Sequence, residues 1–447
     1  MRWTDAGVRS ALGLDWGDAG VRYAGVVTDT RQIGPGALFV ALEGERFDGH
    51  AFLAAARGAG ATGAVVRRGT ARVDGLRLYE VDDTLRAYGW LARHRRRQFQ
   101  GPVVAVTGTN GKTSTKEMLA AVLGTKYRTH ATRLNLNNLV GVPQTILEGP
   151  DDVEAMVVEA GANLPGEIAR YREMIEPDIA VITNVAAGHL EGFGTMAGIL
   201  AEKLALVRDV PLAIVGGDEP ELAAGARRLA RRVVTAGLGG ADVCPDQVSL
   251  EPTGRPRVTV DGVSFTVAQL GIHQATNAML AWAVGRELGL PPAEVARALE
   301  SFTLPAGRGE VAHHGRLTIL NDSYNANPAS FRALIEVVRS IRAGRRLVLV
   351  AGTMRELGPA AAALHAEIAD ELARLDPEVI AAVGEFGPVM ERHRAQFGDR
   401  LLVADDAVAV APMVAARLKG DELVVLKGSR GVHLERIIPE LVGRTGN

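Results

Sequence analysis

Residues 101–118 read GPVVAVTGTNGKTSTKEM, and this stretch decides the fold of the middle of the chain. The apolar run Val103–Val106 predicts a buried strand, and a helical pattern follows from about Ser114 to Leu123. The glycine-containing segment Thr107–Thr113 lies between them. Small residues there let backbone N–H groups surround phosphate oxygens, and the start of a helix adds partial positive charge. The stretch therefore predicts a loop that binds the phosphates of a nucleotide.

Two side chains of this loop have separate predicted roles. Lys112 reaches the β- and γ-phosphates, and the Thr113 hydroxyl binds Mg²⁺. The general pattern has a glycine five positions before Gly111, where this chain has Val106, so the segment keeps only the shorter form Gly-x-x-Gly-Lys-Thr. The alternative is an ordinary glycine turn before a helix. The order of strand, loop and helix favours nucleotide binding.

Composition and charge exclude several classes of protein. The 447 residues carry a net charge of −2, which predicts no attraction to nucleic acid or to an anionic membrane. The basic run RHRRRQ at 93–98 is interpreted as a solvated helix end. A single cysteine, Cys244, excludes an internal disulfide and a multi-cysteine zinc site. The chain shows no secretory signal and no apolar run of ~18 residues, so we expect a cytoplasmic protein without membrane insertion.

Alternating strand and helix patterns predict an α/β fold of three domains. A small α/β domain is expected at 1–99. The domain at 100–306 is expected to contain a mostly parallel sheet with helices on both faces, and the domain at 307–447 to be an open, Rossmann-like α/β domain. The Pro-Ala-Gly stretch at 305–307 is a candidate hinge.

The strands of the middle domain end in polar residues. The strand-like runs are Val103–Val106, Ala155–Val158, Ile179–Ile182 and Leu212–Val215. Glu159 ends the second run and His189 follows the third, so both are expected at the same sheet edge as Lys112. Thr113 and Glu159 offer the oxygen ligands that Mg²⁺ prefers, and His189 could bind a second metal or phosphate, although a lone loop histidine is usually structural. Lys203 is either a surface lysine or, after carbamylation by CO₂, a further metal ligand.

Polar groups also cluster in the outer domains. Arg308 could stabilise a transferring phosphoryl group, and Asp322 could bind a ribose hydroxyl. The stretch 321–328, NDSYNANP, has the alternative of a helix N-cap and turn. The polar loops at 28–36 and 43–50 either bind a polar ligand or are ordinary surface loops.

Several of these segments together resemble the Mur ligases, the ATP-dependent ligases of peptidoglycan synthesis. The segments are TGTNGKTSTKEML, NLNNLVGVPQTIL, EAGANLPGEI, NVAAGHLEGFGT, NDSYNANPAS and LKGSRGVHLE, and the N-terminal TDTRQIGPGALFVALEGERFDGHAF resembles the family's uridine-nucleotide-binding domain. The resemblance runs from about residue 25 to residue 438. It favours the branch that joins D-alanyl-D-alanine to UDP-N-acetylmuramoyl-tripeptide. The alternatives are the branch that adds the third amino acid and, in another class, a nucleotide-switch ATPase without ligase activity.

The resemblance implies a role for each matching residue. The set implied to bind ATP is Thr107, Gly108, Thr109, Asn110, Gly111, Lys112, Thr113, His273, Asn277, Arg308, Asp322, Tyr324 and Asn327. The implied Mg²⁺ ligands are Thr113, Glu159, His189 and a carbamylated Lys203. The implied catalytic set is Lys112, His189, Lys203 and Arg308. The implied substrate set, for UDP-MurNAc-tripeptide and D-Ala-D-Ala, is Thr30, Arg31, Asp48, His50, Asn137, Asn138, Lys427 and Ser429. A monomer is expected. The chain departs from the family pattern at Gln274, Ala205 and Thr353.

Overall fold

The structure, a computed structural model, describes residues 3–15, 17–18, 20–44, 47–188 and 190–443. It contains three parallel or mostly parallel sheets, one after another along the chain. The prediction of an α/β fold with parallel sheets is confirmed.

The first part of the chain is a small parallel sheet with helices packed on it. Its strands are β1 (Trp3–Thr4), β2 (Arg22–Tyr23), β3 (Val26–Val27), β4 (Leu38–Val40), β5 (Glu43–Gly44), β6 (Phe47–Asp48), β7 (Gly63–Arg67) and β8 (Arg77–Val81). Its helices are α1 (Asp5–Leu12), α2 (Leu53–Gly58) and α3 (Thr84–Gln98). The sheet has the order β3-β4-β7-β8, while β1–β2 and β5–β6 form separate antiparallel ladders.

A buried carboxylate fixes α1 to this sheet. Asp5 is fully buried and accepts hydrogen bonds from the Tyr79 hydroxyl, from Arg9 Nε at 3.1 Å and from the backbone N–H of Asp18 at 2.6 Å. Arg77 Nη1 lies 3.2 Å from Asp5 Oδ1. A buried charge is tolerated when it is paired and hydrogen-bonded in this way.

The basic run at the end of α3 is part of the contact with the next sheet, so its interpretation as a solvated helix end is wrong. Arg95 and Arg96 are each only 8% exposed. Arg96 donates to the carbonyl of Ile175 and to Asp178 Oδ2, both at 2.9 Å. Arg97 donates to Glu176 at 2.7 Å. The guanidinium groups bind carbonyls and carboxylates of the middle part of the chain, which the run itself cannot reveal.

The middle part contains a six-stranded parallel sheet between two helical layers. Its strands are β9 (Val103–Thr107), β10 (Thr129–Ala131), β11 (Ala155–Glu159), β12 (Ile179–Ile182), β13 (Leu212–Gly216), β14 (Val233–Ala236), β15 (Gln247–Leu250), β16 (Pro256–Val260) and β17 (Val263–Thr266). Its helices are α4 (Lys112–Gly124), α5 (Gly141–Glu148), α6 (Glu167–Ile175), α7 (Leu190–Phe193), α8 (Met196–Leu204), α9 (Pro220–Leu229), α10 (His273–Glu287) and α11 (Pro292–Ser301).

The order of the central sheet is β10-β11-β9-β12-β13-β14. One apolar core lies between the sheet and α4, α10 and α11, and a second lies on the opposite face under α5, α6, α8 and α9. A small antiparallel sheet, β15-β16-β17, interrupts the parallel series. The strand-like runs predicted from the sequence do not include β15.

The last part contains a second six-stranded sheet. Its strands are β18 (Glu310–His314), β19 (Leu317–Asp322), β20 (Leu347–Gly352), β21 (Val379–Val383), β22 (Leu401–Ala404) and β23 (Leu423–Lys427). Its helices are α12 (Pro328–Ile341), α13 (Ala361–Ala373), α14 (Phe386–Met390), α15 (Arg394–Phe397), α16 (Ala407–Ala415) and α17 (Ile438–Gly443). The order is β18-β19-β23-β20-β21-β22, and only the β18–β19 hairpin is antiparallel. Within the described part of the chain, no helix has the length and apolar character needed to cross a membrane.

Candidate active site

The polar ends of three neighbouring strands meet at one edge of the central sheet. The register pairs Glu159 of β11 with Val106 of β9, and Thr107 of β9 with Ile182 of β12. The loop between β9 and α4 begins at this edge. Gly108 has φ 146°, and a Cβ there would overlap the Thr183 hydroxyl, so only glycine fits.

The residues after β12 hold the loop in place. The backbone N–H of Asn110 donates to Asn184 Oδ1 at 2.9 Å, and Asn184 Nδ2 donates back to the carbonyl of Asn110 at 3.0 Å. The Thr183 hydroxyl donates to that same carbonyl at 2.6 Å. The Thr107 hydroxyl donates to the Ala160 carbonyl at 2.7 Å, and the Thr109 hydroxyl accepts from the Ala186 N–H at 3.0 Å. The loop is therefore held by hydrogen bonds to the segments that follow β11 and β12, and these two threonine hydroxyls are used within the fold.

Lys112 lies folded over the loop. Its ammonium donates to the carbonyls of Gly108 at 2.9 Å and Thr109 at 3.0 Å. Burial lowers the pKa of Lys112; the carboxylate of Glu159 opposes that shift, and the nearby charge of Arg308 adds to it. The charges that act on Lys112 therefore come from both the central and the last parts of the chain.

Glu159 supplies a buried carboxylate beside the start of α4. It is 1% exposed and accepts hydrogen bonds from the Thr113 hydroxyl at 3.0 Å and from Asn137 Nδ2 at 2.8 Å. Its own backbone N–H donates to Thr132 Oγ1 at 2.9 Å. The hydroxyl and carboxylate oxygens are the type of ligand that Mg²⁺ takes, so these residues fit a magnesium site. The sequence predicted Thr113 and Glu159 for it but gave no signal for Thr132.

Lys203, on α8, is not a surface lysine, because it is 1% exposed. Its ammonium lies 5.6 Å from the centre of the Phe193 ring. Burial, assisted by the charge of Lys112, lowers the pKa of Lys203 to about 7. Both causes favour the neutral amine. His189, predicted to share a site with it, lies outside the described residues.

Asn277, one of the residues that the resemblance implies to bind ATP, adjoins the same loop. Asn277 Oδ1 lies 2.5 Å from the place a Cβ of Gly111 would occupy, and Asn277 Nδ2 donates to Gln274 Oε1 at 3.1 Å. Although Gln274 departs from the family pattern, its side-chain oxygen accepts a hydrogen bond from Asn277 and so orients it. His273 precedes them, and burial lowers its pKa to about 4; Asp322 opposes this shift.

The last sheet contributes a stacked arginine and an ion pair. The guanidinium carbon of Arg308 lies 3.9 Å from the centre of the Tyr324 ring. Arg308 Nε is buried and has no hydrogen-bond partner among the described residues. Asp322 is paired with Lys427, whose ammonium lies 2.5 Å from Asp322 Oδ2. Ser429 accepts a hydrogen bond from the backbone N–H of Arg355 at 2.9 Å.

Asn327 joins the last sheet to the phosphate loop. Its Oδ1 accepts from the Ser330 N–H at 2.9 Å, so it caps α12 as the alternative interpretation proposed. Its Nδ2 also donates to Asn110 Oδ1 at 2.7 Å, across the gap between the two sheets. A second bridge runs from the backbone N–H of Glu191 to the carbonyl of Glu356 at 3.3 Å. The edges that carry Lys112 and Arg308 consequently face each other.

The remaining predicted substrate residues lie apart from this cluster or have local partners. Thr30 and Arg31 lie in a short turn after β3, where Arg31 pairs with Asp29 at 2.6 Å. Asp48 accepts from His50 Nδ1 at 2.6 Å. The first group follows β3 of the first sheet and the second lies at the end of the β5–β6 ladder, and no hydrogen bond joins the two groups within the described residues. Asn138 differs from Asn137, because its Oδ1 caps α5 through the Gly141 N–H at 2.8 Å.

The chain matches three family models in succession. They are the Mur ligase family, catalytic domain, over residues 22–96, the Mur ligase middle domain over 106–285, and the Mur ligase, glutamate ligase domain, over 307–430. The chain belongs to the Mur ligase family. Among its relatives is the UDP-N-acetylmuramoyl-tripeptide--D-alanyl-D-alanine ligase of Bacillus subtilis (strain 168), which is 34% identical over 431 residues, covering 94% of this chain and 93% of the relative.

Solved structures give the same result. A crystal structure of MurF from Acinetobacter baumannii is similar with a TM-score of 0.89 and 29% identity, covering 99% of both chains. The MurF ligase from Thermotoga maritima, solved in complex with ADP, has a TM-score of 0.83 and 29% identity, covering 94% of this chain and 97% of that one. The family resemblance of the sequence is confirmed.

Proposed function

We propose that this chain joins D-alanyl-D-alanine to UDP-N-acetylmuramoyl-tripeptide at the expense of ATP. The observation that carries the proposal is the contact between the phosphate loop and the last part of the chain, where Asn327 donates to Asn110 and the charge of Arg308 acts on Lys112. Cations from two sheets can enclose a transferring phosphoryl group, which carries spread negative charge. The name shared by relatives that match nearly the whole chain supports the identity of the substrates.

The proposed reaction has two steps. A carboxylate oxygen of the tripeptide attacks the γ-phosphorus, the bond to the ADP oxygen breaks, and an acyl phosphate and ADP form. The amine of D-Ala-D-Ala then attacks the acyl carbon, an amide bond forms, and phosphate leaves as a proton is lost. Lys112 and Arg308 stabilise the charge of the phosphoryl group, and the domains hold the reacting atoms together.

The proposal includes magnesium. Thr113 and Glu159 hold it, because their oxygens already lie 3.0 Å apart in a buried place beside the loop. Bound Mg²⁺ supplies charge neutralisation on the phosphate oxygens. A second ion is assigned to His189 and a carbamylated Lys203, and the low pKa of Lys203 supports the carbamate because only a neutral amine reacts with CO₂.

The other assignments are part of the same proposal. The loops that carry Thr30, Arg31, Asp48 and His50 bind the uridine nucleotide. Lys427 orients Asp322 toward the ribose of ATP, since the two are paired at 2.5 Å. The enzyme acts as a monomer in the cytoplasm, with domains divided at about 99 and 306.

The test is the release of ADP with defined precursors. ADP release is expected to require both UDP-N-acetylmuramoyl-tripeptide and D-Ala-D-Ala, and mass spectrometry should detect the pentapeptide product. Activity with the dipeptide precursor and a single amino acid would instead support the branch that adds the third residue. ATP turnover unaffected by either substrate would contradict ligase activity and favour a nucleotide switch. A panel of tripeptides would then identify the third residue.

A further inference from the structure

A buried lysine that none of the assignments above uses lies one turn after Thr113. Lys116 is 0% exposed, and its ammonium meets two oxygens, the carbonyl of Thr132 at 2.6 Å and Glu117 Oε1 at 2.7 Å. A buried ammonium loses its hydration, and the first turns of a helix disfavour positive charge. A lysine here costs stability, and such departures from the general rules concentrate at functional sites.

Thr132 connects this lysine to the carboxylate of the proposed magnesium site. Its carbonyl accepts from Lys116, while its hydroxyl oxygen accepts from the backbone N–H of Glu159 at 2.9 Å. Glu159 in turn accepts from the Thr113 hydroxyl at 3.0 Å, one helical turn before Lys116. Three hydrogen bonds thus connect Lys116, Thr132, Glu159 and Thr113 in series, and each of the four residues is at most 2% exposed. Water therefore cannot replace a contact that is lost.

Lys116 also fixes the start of an exposed segment, residues 133–140. Leu134 in this segment is 72% exposed and has φ 51°, whereas Leu139 and Val140 at its far end are half-buried against neighbouring apolar cores. It nevertheless carries Asn137, whose Nδ2 donates to Glu159 Oε1 at 2.8 Å. The bond from Lys116 to Thr132 lies directly before the segment and limits where Asn137 can lie.

We propose that Lys116 is a positioning residue of the magnesium site, which acts through Thr132 to fix the Glu159 carboxylate against Thr113. The inference rests on the proposed function, because it takes Thr113 and Glu159 as the ligands. Groups that orient metal ligands typically change metal affinity by about 10- to 100-fold when they are removed. We expect an effect of this size, since the ammonium is linked through Thr132 both to the backbone N–H of Glu159 and to the start of the segment that carries Asn137.

The test measures metal binding directly, with Mn²⁺ as a paramagnetic substitute for Mg²⁺. Mn²⁺ is titrated into the full chain saturated with ADP, and free Mn²⁺ is followed by electron paramagnetic resonance. Lys116→Met keeps the apolar stem without the donor and is expected to raise the Mn²⁺ dissociation constant by about tenfold or more. The affinity for ADP without metal should change by less than about twofold. Lys126→Met, two residues beyond the same helix and exposed, is the matched control and should change neither constant.

A second variant tests the route through Thr132. Thr132→Val keeps the carbonyl and the shape but removes the acceptor for Glu159, and it should also weaken Mn²⁺ binding. Because the two residues act in series, the double variant should bind Mn²⁺ with the same affinity as the single variant that binds it less tightly. If Lys116→Met does not fold, Thr132→Val decides alone: unchanged Mn²⁺ affinity overturns the inference.

Other outcomes also overturn it. Wild-type Mn²⁺ affinity in folded Lys116→Met, fully additive effects, or an equal loss of metal-free ADP affinity would each show that Lys116 has only a general structural role. The Mn²⁺ titration is made without UDP-N-acetylmuramoyl-tripeptide and without D-Ala-D-Ala, so its result does not depend on the ligase reaction. Failure of the ligase proposal would appear separately, as ADP release by the unaltered chain that does not depend on D-Ala-D-Ala.

Discussion

Lys203 offers a quantitative test of the proposed carbamate, because its surroundings set how much of its amine is neutral. Carbamylation forms an N–C bond between a neutral amine and CO₂ and releases one proton. Burial, with the charge of Lys112, lowers the pKa of Lys203 to about 7. At pH 7.5 a group with that pKa is about three-quarters neutral, whereas an exposed lysine is about 0.1% neutral. Lys203 therefore has roughly 600-fold more reactive amine than an exposed lysine.

The assay is ¹³C NMR of the protein in ¹³C-bicarbonate at pH 7.5. One carbamate signal is expected, absent in Lys203→Met and retained in the exposed control Lys126→Met. At constant dissolved CO₂ the signal should fall as the pH is lowered through 7, because protonation removes the nucleophile. Lys203→Met should also lose most ligase activity. Short carboxylic acids should restore part of it, since they can occupy the vacant place of the carbamate.

Two results would refute this reasoning. The first is a carbamate signal that persists in Lys203→Met, which would place the modification elsewhere. The second is a Lys203→Arg enzyme that works at the wild-type rate in CO₂-depleted buffer. Arginine keeps its positive charge and cannot form this carbamate, so such an enzyme would need no carboxylate at this position.

Three further predictions follow from single contacts. Asn327→Ser keeps a cap for α12, but the serine side chain is too short to reach Asn110 in the phosphate loop. Calorimetry should therefore show an affinity for ATP about two- to tenfold lower, with little change in melting temperature. An unchanged affinity for ATP would show that the Asn327–Asn110 contact does not contribute to binding. Asp5→Asn should cost about 3 kcal/mol in urea unfolding, because it leaves buried partners unpaired. Burial raises the pKa of Asp5, but the hydrogen bond from Tyr79 and its other partners leave that pKa below the ordinary value. The contribution of Asp5 to the free energy of unfolding is therefore present above about pH 4 and lost at lower pH. An Asp5→Asn variant whose stability falls with acid pH just as that of the wild type does would contradict this. Arg96→Met should lower the free energy of unfolding by about 2 kcal/mol, and Arg97→Met, at an exposed position, by less than about 1 kcal/mol. Equal losses in the two variants would argue against a contribution from the buried contact of Arg96.

The sequence is sufficient where the signal is local. Ile179–Ile182 was predicted as a strand and has those bounds in the structure, because a short apolar run with polar flanks needs no information from elsewhere. Glu159 was predicted beside Thr113 because parallel strands align their carboxyl ends. Both inferences use rules that hold for the whole fold class.

The missed features depend on partners distant in the chain. Thr132 has a functional neighbour only because β10 pairs with β11, and nothing near it in sequence indicates this. The burial of Arg96 depends on carbonyls 79 and 80 residues away. β15 has an exposed, irregular pattern at a sheet edge, so it lacks the alternation by which strands are found.

The positive charges of Lys112, Lys203 and Arg308 explain why ATP favours contact between the central and the last parts of the chain. The charge of Arg308 lowers the pKa of Lys112, and the charge of Lys112 lowers that of Lys203, so Lys112 lies near a like charge on each side. The carboxylates of Glu159 and Glu356 act in the opposite direction on the pKa of Lys112. Assembling like charges in a buried place is unfavourable unless an anion joins them. ATP carries several negative charges and supplies what the protein lacks, including an acceptor for the buried, unpartnered Arg308 Nε. Because Arg308 lies just before β18 and Lys112 begins α4, we expect bound ATP to stabilise the contact between the last and the central parts of the chain.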